Sequence, residues 1–150
     1  MTGRVASALQ RITARLESVS YDTLIATPAR IFIGVTFWMS GRTKVEGLLS
    51  ISDAAFYLFE HEYALPFIPA QLATYLTTYS EHLFSVLLIV GLASRLSAAA
   101  LLVMTAVIEI FVYPGAWKTH LLWASALAFI LFRGAGALSL DQLIRKRWMD

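Results

Sequence analysis

Four stretches of the chain are apolar over about the 20 residues that a helix needs to cross a bilayer, and few charges interrupt them. They predict membrane-spanning helices over residues 25–44, 73–92, 96–113 and 118–133. The first carries Thr27, Arg30, Thr36 and Ser40, with Pro28 suited to a first helical turn and Arg30 near enough to one end to snorkel to the interface. If this helix continues far enough, Thr36, Ser40 and Lys44 share one stripe. The second holds the adjacent pair Glu81 and His82, and a polar stripe of Thr74, Thr77 or Thr78, Glu81 and Ser85 that should face protein rather than lipid. On the third, Thr105 and Glu109 lie four residues apart before Pro114-Gly115 breaks the helix. The fourth is short, starts near His120 and should extend into its flanks.

Residues 4–19 read as an amphipathic helix, with Val5, Leu9, Ile12, Leu16 and Val19 on one face and Arg4, Arg11 and Arg15 on another. It either lies in the headgroup region or docks on protein. In the long connection 45–72, the short apolar run 51–59 reads as an interfacial or re-entrant helix, ended by Pro66 and Pro69. Its Glu60-His61-Glu62 cluster reads as a solvated loop. Residues 134–150 form a tail. The fold class expected is an all-α integral-membrane four-helix bundle within a single domain.

At 58% hydrophobic and 15% charged residues over 150, with a mean hydropathy of +0.66, the chain is too apolar for an ordinary soluble domain. Its partner is then the lipid bilayer. The absence of cysteine excludes disulfides, thiol catalysis and Cys-ligated clusters. No Gly-rich nucleotide loop, flavin motif or Cys-x-x-Cys-His haem attachment is present. A net charge of +2 with basic residues toward the two ends gives no reason to expect nucleic-acid binding. The first twenty residues lack an uninterrupted apolar core, so no cleaved signal peptide is expected.

With four spans both termini share a side. That side collects Arg4, Arg11, Arg15, Arg30, Arg95, Arg133, Arg145, Lys146 and Arg147, leaving Arg42, Lys44 and Lys118 opposite. The positive-inside rule therefore puts both termini in the cytoplasm. The remaining ionisable residues of the spans then converge in the outer half, with Glu81 and His82 about 9–12 Å below the start of their helix. Lys44–Glu81 is the economical ion pair and Glu109–His120 a second, while His82 points about 100° away from Glu81 and should meet another helix. Such a cluster either only neutralises itself and sets helix register, or forms a small site for a quinone-like headgroup or another polar ligand, with carboxylate and imidazole as proton carriers. A copper or zinc site using His82, His120 and a carboxylate lacks any ligand-spacing motif, and no metal residues are assigned. Phe56, Tyr57, Phe59, Tyr75, Tyr79, Tyr113, Trp117 and Trp123 sit at the same level as an interfacial belt and a pocket lining.

Three motifs add a family resemblance. RIFIGVTFWMSGRTKVEG (residues 30–47) resembles the opening helix of the DoxX family through Arg30, Gly34, Ser40, Gly41 and Lys44. EHLFSVLLIVGLASRLSA (81–98) resembles its second signature through Glu81, Gly91, Leu92 and Arg95, and GAGALSLDQLI (134–144) its closing segment through Gly136, Ser139 and Asp141. Together they cover about residues 28–145. Where relatives often have a second Gly soon after the Glu, this chain has Ser85, Val86 and Leu87. The resemblance implies a four-helix bacterial inner-membrane protein. Its relatives are associated with thiosulfate:quinone oxidoreductase and with membrane complexes handling oxidative or thiol stress. It points to a subunit of a quinone-linked oxidoreductase with membrane or periplasmic redox partners, and an oligomer is compatible with it. A non-catalytic scaffold or assembly partner is the alternative from another class, and a metal-handling protein a third. Lys44, Glu81, His82, Glu109 and His120 are the candidate ligand-binding cluster, with Arg30 and Arg95 as inner-end anchors.

Overall fold

The computed structural model describes residues 21–149, so the amphipathic helix expected over residues 4–19 lies outside the described residues. The described chain is all-α apart from one two-stranded hairpin. Helix α1 (Tyr21–Arg42) leads into the hairpin of β1 (Val45–Glu46) and β2 (Ser50–Ile51), in which Val45 pairs with Ile51 and Glu46 with Ser50. A short helix α2 (Asp53–Leu58) follows and widens into a π-helical turn, Phe59–Tyr63. Helix α3 (Ala70–Val90) returns, and α4 (Ser94–Val107) ends in a second π-helical turn, Ile108–Val112. Helices α5 (Trp117–Arg133) and α6 (Leu140–Met149) complete the chain.

Helix α1 starts at Tyr21 rather than at residue 25, so Pro28 stands beyond its first turn, and it ends at Arg42, short of Lys44. The hairpin was not expected. Its turn holds Gly47 at φ +64° and is clamped by Arg42, whose guanidinium donates to the carbonyls of Gly47 and Leu48 at 2.7 Å each. Within the segment 134–150, Leu140–Met149 form α6.

Helix α1 packs on α3 and α5, and α4 packs on α5 and α3. Ile33 and Phe37 of α1 meet Leu88, Ala98, Leu101, Leu127 and Ile130 in one apolar core. The close approach of α1 and α3 needs Gly34: a Cβ there would stand 2.5 Å from Ile89 Cγ1 and 3.1 Å from the Ser85 carbonyl. The outer surface is apolar too, with Phe32, Leu96, Val103, Leu121, Leu122 and Phe132 exposed, a surface suited to acyl chains rather than water. Among the described residues, three helical stretches are long and apolar enough to cross a membrane: Thr23–Arg42, Ser94–Val112 and Pro114–Arg133. Helix α3 has the length, but Thr74, Thr78, Glu81, His82 and Ser85 lower its mean hydropathy; all five are buried.

The start of α1, the end of α3, the start of α4 and the end of α5 meet at what we call the base. Arg30, buried there, donates to the Leu88 and Ile89 carbonyls at 3.0 Å each and to the Leu138 carbonyl at 2.6 Å. The first two belong to the last turn of α3, the negative end of its dipole, and the Leu88 carbonyl also accepts the Gly91 N–H at 3.2 Å. Gly91 ends that helix at φ +75°, and its carbonyl accepts the Asp141 N–H at 2.8 Å. A Cβ on Gly91 would lie 2.5 Å from Arg30 Nη1 and 2.6 Å from Ser139 Cβ.

Gly91→Ala should therefore cost more than the about 1–2 kcal/mol of left-handed backbone alone, because it also displaces Arg30. Gly47→Ala, at a similar φ with open space around it, serves as the control. Thermal midpoints in detergent should fall further for Gly91→Ala; equal losses would remove the packing argument.

Candidate functional site

The opposite end, the top, is built around a carboxylate three turns into α3. Glu81 is 1% exposed, eleven residues after Ala70, and thus about 16 Å along the helix, deeper than the start at residue 73 implied. Its charge is met by Lys44, 5% exposed, whose Nζ lies 2.8 Å from Oε2 and 3.1 Å from Oε1. Lys44 also donates to the Ser40 carbonyl at 3.0 Å and the Ser40 hydroxyl at 3.1 Å, and that hydroxyl donates to Glu81 Oε1 at 3.0 Å. Every ammonium proton thus has an acceptor inside the protein.

Lys44 reaches this position because α1 stops at Arg42. Its N–H donates to the Gly41 carbonyl at 3.0 Å, and its own carbonyl accepts the Ser52 N–H at 3.0 Å across the hairpin. Ser52 then caps α2, its hydroxyl accepting the Ala55 N–H at 3.2 Å. The hairpin is thus the device that turns a lysine beyond the helix back into the protein. His82 also faces α1: its ring meets Trp38 edge-on at 5.0 Å between centroids and lies against Gly41, where a Cβ would come within 2.8 Å. Its Nδ1 pairs with the Thr78 carbonyl at 2.7 Å, and its Nε2 has no hydrogen-bond partner among the described residues.

A second acid–base pair stands where α4 passes into α5. Glu109 Oε2 lies 2.5 Å from His120 Nδ1; the imidazole side chain is 7% exposed and the carboxylate 31%. Glu109 belongs to the π-helical turn Ile108–Val112, whose end is set by Tyr113 and Pro114. The other π-helical turn packs beside it, with the Tyr63 and Tyr113 rings 5.7 Å apart and their hydroxyls at 3.5 Å. Burial first, and then this contact, raise the Tyr63 phenol above its ordinary pKa, so it stays neutral.

Between the pairs lies a cavity of about 390 Å³. Its polar lining includes Ser40, Lys44, Glu81 and His120, and its walls include Phe37, Phe59, Met104, Val107, Tyr113 and Trp123. Glu109 and His82 are not in the lining: Glu109 stands behind His120, and His82 is turned toward Trp38. Tyr63 was not anticipated; one tyrosine among six in the chain carries no signal that a π-helical turn will aim it at a cavity. Tyr57, Tyr75, Tyr79 and Trp117 of the aromatic belt are exposed, Phe59 and Trp123 line the cavity, and Tyr113 does both. Among the described residues no three of His, Asp or Glu gather as a metal-ligand set. Glu60, His61 and Glu62 are exposed, with His61 stacked on Tyr57.

The family model described as DoxX matches residues 25–114. The chain belongs to the DoxX family. It is similar to an uncharacterized protein of Haemophilus influenzae, 30% identical over 127 residues that cover 78% of this chain and 81% of that protein. No solved structure matches it. Family membership and the apolar helices together make it a multi-pass membrane protein.

The three DoxX-like motifs fall on the two ends of the molecule. Ser40, Gly41, Lys44 and Glu81 build the top pair, whereas Arg30, Gly91, Ser139 and Asp141 meet at the base. Asp141 caps α4, its carboxylate oxygens accepting the Ala93 and Ser94 N–H groups at 2.7 and 2.9 Å. Arg95 is exposed there; its Nη2 lies 3.4 Å from the Phe132 carbonyl, a long contact. The residues 134–144 that carry the third motif lie beyond the family match.

Removing one member of a buried ion pair leaves the other uncompensated, at a cost of about 3–5 kcal/mol, whereas replacing both by apolar residues is often neutral. Glu81→Leu alone should thus lower the thermal midpoint strongly. Lys44→Met with Glu81→Leu should recover most of the loss, as read by thermal unfolding of the purified protein in detergent.

Proposed function

We propose that this DoxX-family chain is a four-span helical bundle of the bacterial inner membrane, with both termini cytoplasmic. In this reading α3 is the fourth span, its polar stripe turned inward. The top cavity binds a lipid-soluble molecule with a polar headgroup, of the quinone class, and the protein serves as a membrane subunit in a respiratory or redox-stress system. One observation carries this reading: Lys44–Glu81 and His120 open on the same apolar-walled space. Its about 390 Å³ falls in the range of small-molecule pockets.

The chemistry follows from the donors. A quinone carbonyl is an acceptor, and Lys44 can offer it a proton that now goes to Ser40. Glu109, partly exposed, and His120, buried, form a two-step path by which a proton moves from the surface to the cavity wall. Reduction to the quinol takes two electrons and two protons. With no cysteine and no cofactor motif, this chain contributes the site and the protons, and a redox partner protein contributes the electrons. A scaffold role is the second reading, favoured by Leu48 and Phe67, which are 88% and 90% exposed on the outer connection. Exchanging residues 51–69 and recovering membrane complexes would show it.

A short-chain benzoquinone analogue added to the protein in lipid nanodiscs should quench tryptophan fluorescence saturably, since Trp123 lines the cavity. Val107→Phe, which fills the space, should abolish saturation. The folded double variant Lys44→Met, Glu81→Leu should weaken binding about tenfold or more, the worth of a hydrogen bond to a charged group. Linear, unsaturable quenching of the unaltered protein would end the quinone reading.

A further inference from the structure

The base holds a second concavity that the proposed function does not use. Where α4 starts, α5 ends and α6 begins, a groove of about 640 Å³ is lined by three guanidinium groups, Arg95, Arg133 and Arg145, and by one carboxylate, Asp141. That carboxylate is already committed to the Ala93 and Ser94 N–H groups, so the positive end of α4 offsets its charge. The other polar lining residues, Thr23, Ser94, Ser139 and Gln142, are neutral. A net positive, donor-rich recess that presents guanidinium groups from three separate elements matches a phosphate rather than a neutral ligand.

The surroundings say what carries the phosphate. On α6, Leu140, Leu143, Ile144 and Trp148 are exposed and recur at helical spacing, with Arg145, Lys146 and Arg147 beside them. Leu96, Phe132 and Leu138 are exposed next to the groove. Basic residues flanked by bare apolar side chains at the end of membrane helices sit at the depth where headgroup phosphates lie above acyl chains. A free phosphate would leave all of that apolar surface in water. A zwitterionic headgroup would bring its ammonium against the arginines.

We propose that the base groove binds the phosphate of an anionic phospholipid, with α6 lying in the membrane interface and its apolar edge among the acyl chains. The lipid then ties α6 to α4 and α5, adding to the contacts of Ser139 and Asp141.

Native mass spectrometry of the full chain in detergent tests this, with phosphatidylglycerol, phosphatidylcholine or inorganic phosphate supplied one at a time. Phosphatidylglycerol should be retained on the unaltered protein, and phosphatidylcholine and phosphate should not. Arg95→Gln with Arg145→Gln should lower retention about tenfold or more, at roughly one kcal/mol per basic residue near a lipid surface. Ala137→Glu, at an exposed lining position, places a carboxylate in the groove without removing any arginine contact, and should lower retention even if the double variant fails to fold. Unchanged retention in Ala137→Glu, equal retention of phosphatidylcholine, or displacement of the lipid by an equal concentration of inorganic phosphate would overturn the proposal.

Discussion

A carboxylate three turns into an apolar helix has to be compensated within the protein, and the top of this molecule is arranged around that requirement. Glu81 takes its counter-charge from a residue that α1 itself does not contain. The helix ends, the chain folds into a hairpin, and the backbone of that hairpin holds Lys44 over the carboxylate. Ser40, one turn before Lys44, completes the arrangement by accepting from the ammonium and donating to the carboxylate. The pair is therefore neutral as a unit and fixes α1 against α3 at one height.

Arg30 does the equivalent work at the other end with different acceptors. There the cation meets the carbonyls that close α3 and the loop before α6. Arg30 within α1 and Lys44 just beyond its end thus each present a buried cation to α3, and Gly34 between them lets the two backbones approach. The consequences differ. At the base Arg30 Nη1 and Ser139 stand where a Gly91 side chain would go, whereas at the top the ion pair borders open space.

That space owes its shape to local backbone as much as to side chains. Both π-helical turns lie on its rim, where such turns often accompany functional sites. They bring Phe59 and Tyr63 from one side and Ile108, Val112 and Tyr113 from the other, and the second also carries Glu109 to His120. Lys44, Glu81 and His120 of the wall are already paired, and the apolar residues around them lower the local dielectric, which strengthens any new hydrogen bond made inside. Buried carboxylate and imidazole side chains mark the top, whereas Arg30, Arg95, Arg133 and Arg145 gather at the base.

The all-α membrane class was legible from the sequence because apolar runs of bilayer length and helical period are local properties, as was the need of Glu81 and Glu109 for partners, since charge in an apolar run is costly wherever it occurs. The DoxX motifs were legible on the same local basis. The hairpin, the two π-helical turns, Tyr63 in the cavity wall and the turn of His82 toward Trp38 were not. Tyr63 in the cavity wall and the turn of His82 toward Trp38 depend on contacts between residues far apart in the chain, such as Tyr63 with Tyr113, while the hairpin is held by nearer ones, such as Ser52 with Lys44. Pairing across the hairpin, and a bulge packed against another bulge, set directions that periodicity cannot encode. The sequence alone determined which residues had to be shielded from lipid; only tertiary packing decided that one charged pair and a histidine would share a cavity while Glu109 and His82 stood outside it.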